Sequence, residues 1–234
     1  PGMAFNVKNN LEVLGCNVTL LTREPSVKLR LIDEKTKQHV VRIDHDVIST
    51  PIDIVTDIPL QYDAVVISDY DKGAVTYKLA KEIIESFKGP VFIDSKKPDL
   101  KNFEGAFVKV NEDEFFKATS VCSDTIITLG SKGAQIEEHG KESIYVGVPK
   151  EKAKVDPTGV GDNFRSGFIA GLAWGLGHER CGQLGSMLAT YCIETTGTQE
   201  YHFTKDEFLS RFEVAYGKVA ADEVKPHLNV RLVG

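Results

Sequence analysis

The chain has 234 residues, of which 41% are hydrophobic and 26% charged, with 28 Lys+Arg against 34 Asp+Glu. This is enough for a substantial core, and the 20 Gly and 9 Pro fit neither a disordered chain nor a fibrous repeat. A net charge of −6 argues against nucleic acid or an anionic membrane as a partner, and no stretch approaches the roughly 20 apolar residues that span a bilayer.

Taken in chain order, residues 4–14 place Val7, Leu11 and Leu14 at helical spacing, and Gly15 supplies the stop. Residues 17–21 form a short β-rich run. Residues 27–33 and 39–44 alternate apolar and polar side chains about the turn Glu34-Lys35-Thr36-Lys37, which predicts a hairpin with one dry and one wet face. The Ala-Val-Val-Ile run within 62–68 predicts a strand covered on both faces. A helix over 76–87, with Leu79, Ile83 and Ile84 inward, ends at Gly89-Pro90, and 91–94 is another buried strand. Strands over 106–110 and 125–129 enclose a helix at Phe115-Phe116, and 132–148 reads as two strands about His139-Gly140. Helices follow over 163–176, 179–195 and 205–219. Alternating helices and apolar strands predict an α/β fold with a mostly parallel central sheet flanked by helices on both faces. Residues 27–57 lack a core of their own and read as a small β lid, leaving 1–26 and 58–234 as the main body. Cys16, Cys122, Cys181 and Cys192 form no C-x-x-C pair and read as reduced thiols of a cytoplasmic protein.

The most informative stretch is Asp156-Pro157-Thr158-Gly159-Val160-Gly161-Asp162, immediately before a helix. Gly159 and Gly161 let backbone N–H groups approach a ligand without Cβ hindrance, at a helix N-terminus that favours an anion. At that position Asp162 has two readings. It caps the helix, or it is a general base that takes a proton from an attacking hydroxyl while the amides hold a phosphoryl group. The stretch is neither a Walker A loop nor a dinucleotide fingerprint.

This stretch resembles the C-terminal signature of the PfkB/ribokinase family of small-molecule kinases, and the resemblance covers nearly the whole chain. It implies a ribokinase-like fold and phosphoryl transfer from ATP with Mg²⁺. Asp162 is then the catalytic base, and the amides of Gly159, Val160 and Gly161 form the anion hole. Pro1-Gly2-Met3-Ala4-Phe5-Asn6 resembles the family's Gly-Gly-x-x-x-Asn motif with Met3 in place of the second Gly, and puts Gly2 and Asn6 near the acceptor. Asn111-Glu112-Asp113-Glu114 matches the family's Asn-x-x-Glu, which assigns Asn111 to a nucleotide phosphate and Glu114 to Mg²⁺ through water. By the same resemblance Thr128, Gly130 and Gly133 line the nucleotide loop. The segment Thr195-Thr196-Gly197-Thr198-Gln199 lies where relatives build a K⁺ site against Asp156 and Thr158.

The two halves resemble different subgroups. Ser68-Asp69-Tyr70-Asp71-Lys72-Gly73 and Ile93-Asp94-Ser95-Lys96-Lys97-Pro98-Asp99 are similar to heptose-phosphate kinases. From about residue 121 onward, with Phe164-Arg165 and Gln183-Leu184-Gly185-Ser186, the wording is similar to bacterial adenosine kinases. The first half implies a phosphorylated sugar met by Asp69, Lys72 and Lys96, with Arg30 and Arg42 from the lid, unless these are ordinary surface charges. A nucleoside kinase and a non-catalytic nucleotide- or sugar-binding module are the rival readings. Relatives often pair through the lid, so a homodimer is expected by analogy. The chain is shorter than such relatives and starts inside a helix. It therefore reads as ordered pieces of a longer chain joined end to end, with a truncated or hybrid chain as the alternative.

Overall fold

The computed structural model describes residues 3–24, 26–33, 35, 39–52, 62–197 and 201–230. Gly2, Thr198 and Gln199 of the expected sites, and most of the turn at 34–37, lie outside them.

A six-stranded sheet has the order β3-β4-β5-β6-β7-β8. Strands β3 (Val65–Asp69), β4 (Val91–Ser95), β5 (Phe107–Asn111) and β6 (Thr125–Thr128) run parallel. Strands β7 (Ala134–Glu137) and β8 (Ile144–Val146) continue the sheet antiparallel, as the short turn between them requires. A separate two-stranded sheet pairs β1 (Val27–Ile32) with β2 (His39–His45).

Helices cover both faces of the large sheet because its central strands are apolar on both. Phe92, Ile126, Ala134 and Ile136 pack in one core with α1 (Met3–Val13), α4 (Val160–Ala173), α5 (His178–Ile193), α6 (Lys205–Tyr216) and α7 (Lys218–Val224). Val91, Ile93, Val108 and Val110 point the other way, toward α2 (Tyr77–Ser86) and the flank of α3 (Glu112–Lys117). Helices α4 and α5 approach closely through glycines. A Cβ on Gly167 would stand 2.5 Å from the Leu184 carbonyl oxygen, and one on Gly185 2.6 Å from that of Phe164.

Three expectations need correction. The β-rich run 17–21 joins no ladder among the described residues: its side chains are alternately half-buried and exposed, and Thr19 accepts a hydrogen bond from the Tyr62 hydroxyl at 2.9 Å. Strand β3 is covered on both faces, with Val66 against one core and Val65 and Ile67 against the other, but less completely than expected, since both valines stay half-buried. The helix expected over 205–219 is two helices, because Gly217 at φ 90° breaks the hydrogen-bond ladder between α6 and α7. At the other end, Thr76 caps α2 by accepting from the Leu79 N–H, as its side-chain chemistry favours.

Candidate active site

The carboxyl ends of the parallel strands and the start of α4 meet at one edge of the sheet, where open α/β folds bind ligands. Gly159, in the left-handed region at φ 82°, is the N-cap of α4. The helix therefore starts at Val160, and Asp162 is in its first turn instead of being the cap. Gly161 is exposed at the same turn.

Asp162 is 4% exposed. Its Oδ1 accepts from Arg165 Nη2 at 2.8 Å, and its Oδ2 lies 3.5 Å from Asn6 Nδ2 on α1. Burial raises its pKa above the ordinary carboxylate value, and Asp94 adds to the rise, while the Arg165 charge opposes both. Arg165 is fully buried and also brings Nη1 within 3.1 Å of Asp94 Oδ2. Asp94 and Lys109 are register partners across β4 and β5, and Lys109 Nζ donates to Asp94 Oδ2 at 3.3 Å. Burial works against ionisation of Asp94, yet Lys109 and Arg165 hold its carboxyl below the usual range. Tyr70 stands beside Arg165, and burial pushes its phenol up. Two carboxylates and two cations thus form a neutral buried quartet at the foot of α4. This balance is what makes four charges tolerable out of water.

The loop before α4 is tied to the end of α5. Asp156 accepts from Thr158 N–H at 2.8 Å and from Gly197 N–H at 3.2 Å, and Val155 N–H donates to the Ile193 carbonyl at 2.8 Å. Asp156 therefore links its own loop, at Thr158, to the 195–197 segment.

On the nucleotide side, Asn111 and Glu114 close a capping box: Asn111 Oδ1 accepts from Glu114 N–H at 2.8 Å, and Glu114 Oε2 from Asn111 N–H at 2.9 Å. The other oxygen of Glu114 receives the ammonium of Lys96. Among the described residues no three His, Cys, Asp or Glu side chains gather as a metal site, so a cation at Glu114 fits only as a largely hydrated ion on one carboxylate. Thr128 donates to the Val110 carbonyl at 3.2 Å, and its strand position pairs with Asn111. Gly130 and Gly133 have φ of 58° and 101°. The missing Cβ of Gly133 is needed against the protein itself, since it would stand 2.0 Å from the Val146 carbonyl oxygen.

Of the expected acceptor contacts, Asp69 is turned inward, while Lys72 and Lys96 are partly exposed and held in ion pairs with Asp46 and Glu114. Asp69 is 2% exposed and accepts from Ser95 Oγ at 2.7 Å, Lys97 Nζ at 2.8 Å and Asp71 N–H at 2.9 Å. Lys72 pairs with Asp46 at 2.6 Å, and the Lys72 carbonyl accepts from Ser49 N–H at 2.7 Å, so residues 46–49 lie along the loop after β3. The side chains of Arg30 and Arg42 fall outside the described part of the structure. The sequence reading passed over Lys109 and took Asp94 and Arg165 only as parts of motifs. The available signal was a lysine in mid-strand between Val108 and Val110, where charge is costly without a partner.

A glycine-capped helix start with a buried carboxylate in its first turn, at the carboxyl edge of a parallel sheet, is an arrangement able to receive an anionic group. The chain belongs to the pfkB family of carbohydrate kinases, whose domain matches residues 53–204. These enzymes are phosphotransferases with an alcohol group as acceptor. It is 31% identical over 118 residues to a nucleoside kinase of Methanocaldococcus jannaschii, a match covering 46% of this chain and 39% of that protein. It is 25% identical over 217 residues to the bifunctional protein HldE of Bradyrhizobium sp., covering 77% of this chain and 44% of that protein. In both, the match spans less than half of the relative's own length. The fold is ribokinase-like: the chain superimposes on the Burkholderia thailandensis nucleoside kinase in complex with inosine with a TM-score of 0.69 and 21% identity. That superposition covers 93% of this chain and 87% of that one.

Proposed function

We propose that the chain is an ATP-dependent kinase that phosphorylates a hydroxyl of a sugar or sugar phosphate, of the heptose 7-phosphate kind. The observation that carries this reading is Asp162, buried in the first turn of α4 with one oxygen held by Arg165 and the other toward Asn6. In this reading the acceptor hydroxyl gives its proton to Asp162 Oδ2. Its oxygen forms a bond to the γ-phosphorus as the bond to the β-phosphate oxygen breaks, and ADP leaves. Amides at 159–162 meet the charge that develops on the phosphoryl oxygens. Arg165 keeps the base oriented and favours its ionised form. Mg²⁺, held through water at Glu114, would supply charge neutralisation on the nucleotide phosphates, and K⁺ would sit at Asp156 and Thr158.

A nucleoside acceptor is the second reading, supported by the 31% identity to the archaeal nucleoside kinase. Coupled assays of ADP release with heptose 7-phosphate, fructose 6-phosphate and adenosine separate the two. Turnover on a sugar phosphate above that on adenosine is expected. Preference for adenosine overturns the sugar assignment, and ATP binding without transfer to any acceptor overturns the kinase. The lid is proposed to hold a homodimer. Leu29 with Ile43, and Leu31 with Val41, are cross-strand neighbours on one face with Val27, and all five are 43–56% exposed. An isologous contact with a second copy would cover this face.

A further inference from the structure

Lys109 is a lysine in the middle of a central strand with 6% of its surface exposed. An ammonium has three donors, yet its hydrogen bond to Asp94 Oδ2 spans 3.3 Å, longer than the roughly 2.7–2.9 Å of a good charge-assisted bond. The same carboxylate oxygen lies 3.1 Å from Arg165 Nη1, so a single acceptor faces two cations. On its other side the ammonium stands 3.7 Å from where a Cβ on Gly161 would be, against the first turn of α4. There the helix already concentrates positive partial charge. Among the described residues that long bond is the ammonium's one hydrogen bond; a buried cation so held beside a helix N-terminus costs the free protein stability, and an arriving anion relieves that cost.

We infer that Lys109 is a further catalytic residue, whose ammonium meets the transferred phosphoryl group from the sheet side while the α4 amides meet it from the helix. The inference rests on the reading that the phosphoryl group passes at the start of α4. Lys109 acts by charge and hydrogen bonding and forms no covalent bond. Asp94 acts as a positioning residue that holds the ammonium at the loop without neutralising it fully, because Asp94 also serves Arg165. The groups that face this ammonium are Asp94 from β4, Arg165 and the Gly161 backbone from α4, and Asp162 through Arg165.

The test measures binding of Mg·ADP with and without aluminium fluoride, a mimic of the phosphoryl group in flight, to the native chain and to Lys109→Met. The native protein should bind the fluoride complex at least about tenfold more tightly than ADP alone, because preorganised donors act on the transition-state charge. Lys109→Met should keep ADP affinity within about twofold, lose most of the gain from fluoride, and lower kcat by about a hundredfold with little change in acceptor KM. Lys109→Arg should recover part of the gain. Should Lys109→Met not fold, the double variant Asp94→Asn, Lys109→Met removes the pair together, leaves no orphaned partner between them, and should show the same loss. Full retention of the fluoride gain without the ammonium overturns the role of Lys109. Absence of any gain in the native protein overturns the placement of the phosphoryl group at α4, and the inference with it.

Discussion

Asp162 and Asp94 are both buried carboxylates of the same quartet, yet their surroundings push them in opposite directions. Burial and the nearby Asp94 raise the pKa of Asp162, while Lys109 and Arg165 lower that of Asp94. A general base works only when ionised, so kcat/KM should fall as pH drops through a value above the ordinary carboxylate range. Arg165→Gln removes the charge that favours ionisation and should move this acid limb to higher pH. A limb that stays in place would detach Arg165 from the base. For stability the signs differ. The depressed pKa of Asp94 contributes stability that is present above the usual carboxylate value and is lost as pH falls through its lower folded value. Asp94→Asn should therefore be less stable near neutrality and show a weaker acid-side decline in Tm, measured by thermal unfolding below about pH 4.

At the scale of elements, the Asn-x-x-Glu segment closes a capping box and is proposed to hold Mg²⁺ through water, and one substitution separates the two. Glu114→Gln keeps the capping box, because a glutamine amide also accepts the Asn111 N–H. Its stability should stay within about 0.5 kcal/mol of native, while the Mg²⁺ concentration needed for half-maximal turnover rises. Asn111→Ala opens the box and should cost about 1 kcal/mol in urea unfolding. The α4–α5 contact is less forgiving. Gly167→Ala puts a methyl 2.5 Å from the Leu184 carbonyl oxygen, which the backbone must move to admit. A loss of about 1–3 kcal/mol is expected, and since α4 carries Asp162, turnover should fall with it. Native-like stability for Gly167→Ala would show that the two helices part easily.

For the whole molecule, the proposal is that the hairpin face couples one chain to another. Replacing Leu29 and Ile43 by Lys should shift sedimentation from dimer to monomer, and an unchanged mass would remove the lid from the interface. Much of the architecture was legible in the sequence because apolar runs such as Val91-Phe92-Ile93 are buried on both faces and Gly15 marks the end of α1, whereas the break at Gly217 was not read from the helical spacing around it. Residues 17–21 are β-rich yet join no ladder among the described residues, since such composition forms a strand only where a neighbour offers one. The site was legible in part. Asp162 could be picked from its motif, whereas the partnership of Asp94, Lys109 and Arg165 depends on register and helix placement, which no local pattern encodes. The central claim is that Asp162 takes the acceptor's proton at the start of α4. Its most direct test is turnover and ADP binding of Asp162→Asn, which keeps shape and loses the base. The account expects kcat to fall by at least about a hundredfold with ADP affinity preserved, and near-native turnover would contradict it.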